Sequence, residues 1–322
     1  MSHSHIDMAS LQTLRSQFTQ SLKDFASSPS STFKILSSIP PSSPPSSSPI
    51  RTLYVLDSSF NPPSKAHLAL VKNALRASKV ISASNSQNDL SRPPASHTKS
   101  RVLFLLATVN ADKSPEPAAF PDRLVMMTLM AEELRSSFHS SPVVDIGITK
   151  EPYFIDKATS IDESGVYTPF SPNPGEHFEQ IHLTGFDTLV RIFTAKYYPH
   201  HTPPLSALEP FLTRHRVRAT VRVDEQSPSK NLQQTTSGRD LSSMDGQLAY
   251  LRGLGNGNLE AEGMKREWAE RVELVVDETG ETEGVSSTKI RNAVKEGNWE
   301  EVDGLVGRGV GEWVRTRGLY KE

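Results

Sequence analysis

The chain has 322 residues, of which 36% are apolar; 23 prolines, a formal net charge of −2 and no cysteine complete its composition. The absence of cysteine excludes disulfides, Cys-ligated zinc and thiol catalysis, and the near-neutral charge gives no clustered basic surface for nucleic acid. With no run of about 18 apolar residues and no apolar signal core at the N-terminus, the sequence reads as a cytoplasmic or nuclear protein with neither a membrane nor a nucleic-acid partner.

Leu11, Leu14, Phe18, Leu22 and Phe25 recur at helical spacing, so residues 1–36 are expected to hold an amphipathic helix. Its polar face is not strongly basic, which favours docking on the body of the protein over a membrane surface. Residues 37–50 are dominated by Ser and Pro and read as an extended linker. From residue 51 to 322 strand and helix patterns alternate. The expected strands are Leu53–Leu56, Val102–Ala107, Val143–Ile148, Ile181–Thr184, Val217–Val223 and Val272–Val276. Continuous apolar runs such as Val102 to Leu106 suit strands covered on both faces, hence a parallel sheet. Helices are expected over Ala66–Arg76, Asp122–Leu134 and Thr188–Tyr197. This βα alternation predicts an α/β, Rossmann-like, doubly wound parallel sheet, whose ligands lie beyond the C-terminal ends of the strands. His67, Asn110 and Gly185 fall at such ends. Two polar insertions, about 81–100 and 224–263, read as loops. The second, around Leu248-Ala249-Tyr250-Leu251, and the N-terminal helix are also candidate surfaces for a protein partner.

Two short stretches carry the chemistry. Ser58-Ser59-Phe60-Asn61-Pro62-Pro63-Ser64-Lys65-Ala66-His67 follows the first strand, and Ser286-Ser287-Thr288-Lys289-Ile290-Arg291 opens a helix near the C-terminus. Each puts backbone N–H groups and a basic side chain where the chain turns into a helix. A helix start offers unpaired donors and a partial positive charge, which suits an anion. Two such sites on one sheet suggest a polyphosphate held from both ends.

On these residues the chain resembles the nicotinamide mononucleotide adenylyltransferase family, within the nucleotidylyltransferases that share a (His/Thr)-x-x-His signature. Ser59-Phe60-Asn61-Pro62 matches the family's opening motif, Ser64 takes the Thr/His place and His67 is the second member. Ser286 to Arg291 matches its closing Ser-Ser-Thr-x-Ile-Arg. Leu183-Thr184-Gly185-Phe186-Asp187 resembles its Gly-x-Asp segment, and Arg123 to Met126 and the tail ending Gly318-Leu319-Tyr320 extend the likeness. Two departures stand out: Ser58 replaces the family's glycine, and the three tryptophans, Trp268, Trp299 and Trp313, all lie late. The likeness is to divergent fungal members in this respect.

The resemblance implies a nucleotidylyltransferase-type sheet with C-terminal helices, and adenylyl transfer from ATP to nicotinamide mononucleotide, giving NAD and pyrophosphate. His67 would donate to the α- or β-phosphate and Ser64 would add a hydroxyl, unless the two serve only to begin the helix. Ser59, Phe60, Lys65, Gly185 and Asp187 are assigned to ATP, as are Ser287 and Thr288; Arg291 completes the clamp. Asp187 could equally cap the helix after it. Asn110 and Lys113 are expected to grip the mononucleotide phosphate, Tyr153 or Phe154 to stack its pyridinium ring, and Arg222 to lie over adenine or phosphates. Mg²⁺ is expected as the ion bridging nucleotide phosphates. Two other readings stay open: an ATP-binding or ATP-hydrolysing relative with a different acceptor, and a partner-binding adaptor with a degenerate site.

Overall fold

The computed structural model describes residues 7–45, 49–76, 80–82, 100–109, 118–169, 177–221, 241–277, 280 and 284–321. Helix α1 (Met8–Ser27) and strand β1 (Phe33–Ile39) come first, then β2 (Thr52–Asp57), α2 (Lys65–Leu75) and β3 (Val80–Ser82). Next are β4 (Ser100–Ala107), α3 (Phe120–Ser136), β5 (Val143–Thr149), α4 (Phe154–Glu163), β6 (Glu179–Gly185) and α5 (Phe186–Ile192). The rest comprises α6 (Glu209–Leu212), β7 (Arg216–Thr220), α7 (Met244–Gly255), β8 (Val272–Val275), α8 (Ser287–Lys295), α9 (Trp299–Leu305) and α10 (Arg308–Arg317).

Among the described residues eight strands form one sheet in the order β1-β5-β4-β2-β6-β7-β8-β3. The six inner strands are parallel, and β1 and β3 close the two edges antiparallel. Counting only the parallel strands in chain order, the sheet reads 3-2-1-4-5-6, the doubly wound order in which ligands collect where the connections diverge. That point lies between β2 and β6. The sequence pattern explains the burial: Val102, Phe104 and Leu106 of β4 join Tyr54, Leu56, Ile181 and Leu183 beneath the α2–α3 side. Leu103 and Leu105 point the other way, against Leu53, Val55, Ile161 and Tyr167. No residue from Val102 to Leu106 is more than 1% exposed, as a strand covered on both faces requires.

The N-terminal helix α1 packs on α3, burying Phe18 and Phe25. Arg15 reaches across to Asp122 with a forked pair of hydrogen bonds of 2.9 and 3.1 Å, and Arg317 of α10 meets the same carboxylate at 3.3 Å. The expected linker over 37–50 is corrected at its start. Ser37 to Ile39 complete β1, and Ser38 Oγ donates to Asp145 at 2.7 Å. Arg101 pairs with Asp145 and also donates to the Ser43 carbonyl at 2.8 Å. Composition suggested an unpaired spacer, but an edge strand needs polar residues between its apolar ones, and serine supplies them.

The insertion over 224–263 is corrected too. Its residues 224–240 lie outside the described residues, as do 83–99 of the first insertion, while Ile81, Ser82 and Ser100 belong to strands. The remainder forms α7, whose Gln247, Leu251 and Leu254 are buried, with Leu251 and Leu254 packed in a cluster with Phe186, Leu189 and Trp268. Tyr250 meets the Phe186 ring edge-on at 5.6 Å. The Leu248–Leu251 stretch therefore packs against the core, with Leu251 buried and Leu248 and Tyr250 half-buried. Among the described residues no helix is long and apolar enough to cross a membrane.

Candidate active site

At the C-terminal edge of the sheet a cleft of about 210 Å³ is lined by Ser64, Ala66, His67 and Leu70 of the α2 start, Gly185 after β6, Thr220 and Val221 after β7, and Val285, Ser286 and Ser287 at the α8 start. The two sequence motifs thus face each other across the point where the strand order reverses. α2 and α8 both direct their first turns at this space, where backbone N–H groups lack intrahelical partners. At α8, Ser286 is the N-cap and its hydroxyl accepts from the Lys289 N–H at 3.1 Å.

The loop between β2 and α2 is held in a defined shape. Phe60 takes φ +47°, in the left-handed region that only a constrained non-glycine residue adopts. Its ring is fully buried and lies 5.5 Å from the His67 ring and 5.8 Å from Phe104. The side chain of Phe60 therefore packs against the imidazole within the core; the expectation that Phe60 binds ATP can apply only to its backbone. Asn61, also fully buried, accepts from the Tyr320 hydroxyl at 2.7 Å through its side chain and from Arg291 at 2.8 Å through its carbonyl. Ser287 donates to the Pro62 carbonyl at 2.9 Å, and Arg123 reaches the Ser59 carbonyl at 3.4 Å.

His67 is fixed at both ring nitrogens. The Ser64 N–H donates to Nδ1 at 3.0 Å, and Ser64 Oγ lies 2.8 Å from the same atom. An N–H can only donate, so Nδ1 accepts and the proton of the neutral ring sits on Nε2. Nε2 then faces Ser58 Oγ at 2.9 Å. Burial disfavours the imidazolium and lowers the His67 pKa from the ordinary 6.5 to about 4. An anion in the cleft would oppose that shift by favouring the charged ring.

The sequence-predicted residues divide into three groups. Ser64, His67, Gly185 and Ser287 line the cleft, and Ser59 and Arg291 stand just behind it through the contacts above. Thr288 is exposed and accepts from Arg291 at 3.1 Å. Asp187 occupies the first turn of α5, whose N-cap is Gly185, so it does not cap that helix. Lys65 is turned away: its ammonium donates to the carbonyls of Asp303 and Gly304 at 3.1 and 2.9 Å, at the C-terminal end of α9, where a cation complements the helix dipole. Asn110, Lys113 and Arg222 lie outside the described residues.

On the acceptor side the two aromatic candidates part company. Tyr153 is 42% exposed at the N-cap of α4. Phe154 is half-buried and meets His182 and Phe211 edge-on at 4.8 and 4.9 Å, so much of its ring is taken up by packing. Leu70, Val285, Thr220, Val221 and Ser58 are not among the residues the sequence assigns to the site. Thr220 and Val221 floor the cleft because β7 ends beside β6, a pairing that only the strand order reveals. Ser58 departs from the family motif, and its hydroxyl is the partner of His67.

No family model matches the chain. A Schizosaccharomyces pombe protein carrying the provisional name nicotinamide mononucleotide adenylyltransferase is 32% identical over 250 residues, 78% of each chain. Among solved structures, Plasmodium falciparum nicotinic acid mononucleotide adenylyltransferase complexed with NaAD is 13% identical, covering 84% of this chain and 97% of that one at a TM-score of 0.47. A nicotinate-nucleotide adenylyltransferase of provisional name from Vibrio parahaemolyticus is also 13% identical, covering 85% of this chain and 97% of its own at a TM-score of 0.31. At TM-scores below 0.5 these two likenesses carry no argument.

Proposed function

The chain belongs to the nicotinamide mononucleotide adenylyltransferase family, and from that we propose that it transfers the adenylyl group of ATP to nicotinamide mononucleotide, giving NAD and pyrophosphate. An oxygen of the mononucleotide's 5′-phosphate would attack the α-phosphorus in line. The bond from that phosphorus to the bridging oxygen breaks, and pyrophosphate leaves with the electron pair. Such a reaction asks the protein mainly to position two anions and to meet charge spreading over the phosphoryl oxygens.

One observation carries the reading. Two anion-suited helix starts, joined through Ser287 and Pro62 although 225 residues apart, face one cleft at the switch point. His67 would act on the transferring phosphate through its Nε2 hydrogen, Ser64 would fix its tautomer, and the α8 start would take the departing phosphates. Arg291 would act chiefly by tying α8 to the Asn61 carbonyl, and Asp187 would stand near the substrate's metal-bound phosphates. The cleft offers hydroxyls and one imidazole, and no group of three His, Cys, Asp or Glu suited to a metal occurs among the described residues. That donor set fits Mg²⁺ carried by the nucleotide phosphates with its waters, where it would neutralise charge on them.

Tyr153 is the candidate for stacking on the acceptor ring; Asn110 and Lys113 would hold its phosphate. Purified protein with Mg²⁺ and ATP, offered nicotinamide and nicotinic acid mononucleotides in separate reactions, tests this by chromatography. NAD from the first at the higher kcat/KM supports the proposal, and a preference for the second would reassign the acceptor. ADP and phosphate with neither dinucleotide would favour the reading in which ATP binding survives with another acceptor.

A further inference from the structure

Ser58 occupies the place of a motif glycine, yet its hydroxyl lies 2.9 Å from His67 Nε2, the very nitrogen that would face a phosphate. Because Ser64 N–H occupies Nδ1, Nε2–H donates and Ser58 Oγ accepts. A hydroxyl that accepts still carries its own hydrogen to give, and among the described residues that hydrogen has no acceptor. The position is also firmly set. The Ser58 N–H extends the ladder to the Leu105 carbonyl at 3.2 Å, and Asp57 beside it pairs with Lys157 of α4 at 2.6 Å. The Phe60 ring packs against the imidazole at 5.5 Å.

We propose that the Ser58 hydroxyl is a catalytic residue of this chain, receiving the His67 Nε2 hydrogen bond and donating its own hydrogen to a phosphate oxygen of the bound nucleoside triphosphate. A glycine there would leave His67 to touch the phosphate alone. Here the imidazole polarises a hydroxyl that is half-buried beside a residue lining the cleft, so the contact would be made at the cleft's edge and not by the ring itself. Hydrogen bonds in series strengthen one another, and a donor to a charged oxygen is stronger than a neutral one. Serine suits the role because it donates and accepts at once; a carboxylate would accept from His67 but repel the phosphate.

The inference rests on the cleft being a triphosphate site, and the test separates the two. ATP with Mg²⁺ is titrated calorimetrically into the wild type, Ser58→Ala, Ser58→Thr, His67→Ala and the Ser58→Ala/His67→Ala double variant, with transfer followed in parallel. Circular dichroism confirms that each variant is folded. Loss of one hydrogen bond to a charged group should weaken ATP binding or turnover by about 10- to 100-fold in Ser58→Ala. Ser58→Thr should restore most of it, and the double variant should be no worse than the worse single one. Unchanged Ser58→Ala, multiplicative losses in the double variant, or tighter binding by Ser58→Ala would each overturn the relay. ATP coupling through Ser58 without NAD formation would contradict the proposed reaction and leave this inference standing. NAD formation indifferent to Ser58 would do the reverse.

Discussion

The two sides of the sheet's C-terminal edge are built differently. On the side of α2 and α8 the described polar groups hold one another: Ser58, Ser64 and His67 form one chain, Tyr320, Asn61 and Arg291 another, and Ser287 ties to the Pro62 carbonyl. On the side of β4 and β5 stand the only two large hydrophobic residues exposed among those described, Val109 at 50% and Tyr153 at 42%. They follow the ends of those strands, where Ala107 pairs with Thr149. The first side is preorganised for a charged group of fixed shape. The second offers apolar surface that a flat ring could cover. A preorganised donor set is what phosphoryl transfer exploits, whereas the ring of the acceptor only has to be held.

That contrast is open to attack at several points. The largest effects should come from confusing the core with the site. Phe154→Ala should lower stability by about 2–3 kcal/mol, the lower end of the loss for a large aromatic because its ring is half-buried, measured by denaturant unfolding, since it packs on His182 and Phe211. A stable Phe154→Ala that has lost acceptor affinity would instead return Phe154 to the pocket. Next, His67→Ala should reduce kcat by about 10²–10³-fold, the usual loss for one preorganised donor, with the thermal midpoint little changed.

Acid should act through the buried histidines. The pKa of His67 falls to about 4 and that of His182 to about 3, both through burial. Between those values and 6.5 the unfolded chain binds protons that the native one refuses, so stability drops as pH falls through this window. Each histidine contributes a loss of about 1.4 kcal/mol per pH unit there. Saturating ATP should move the His67 part of the window to lower stability cost, because a bound anion favours its charged form. Urea midpoints at pH 7, 6 and 5, with and without ATP, would show it.

Tyr320→Phe comes next, leaving Asn61 Oδ1 without the hydroxyl hydrogen and costing about 1–3 kcal/mol, with an ATP affinity that falls in step. Tyr153→Ala should have the smallest effect: a rise in acceptor KM of about tenfold or less, as for an exposed cation–π contact, at constant ATP KM. A shift in ATP KM instead would erase the division between the two sides.

Much of this architecture was legible in the sequence because its signals are local. Continuous apolar runs at Leu53, Val102 and Ile181 announced buried parallel strands, and the serines before His67 and Ile290 announced helix starts. What the sequence concealed depends on contacts distant along the chain. Lys65 beside a phosphate motif looked like an anion ligand until α9, more than two hundred residues later, brought carbonyls to it. Ser37 and Ser38 looked like linker because one face of an edge strand needs no apolar residues. Leu248 to Leu251 sat in a polar stretch, and only the neighbouring Phe186 and Trp268 reveal what they bury against. Ser58 looked like a loss relative to a motif, and its hydroxyl becomes meaningful only beside Nε2.

The most direct measurement is the simultaneous quantification of NAD and pyrophosphate from ATP and nicotinamide mononucleotide, in the wild type and in His67→Ala. Equal amounts of the two products in the wild type, both suppressed by His67→Ala, are what the two-ended phosphate cleft predicts. Equal rates in wild type and a folded His67→Ala variant, or ATP consumed without pyrophosphate release, would contradict it.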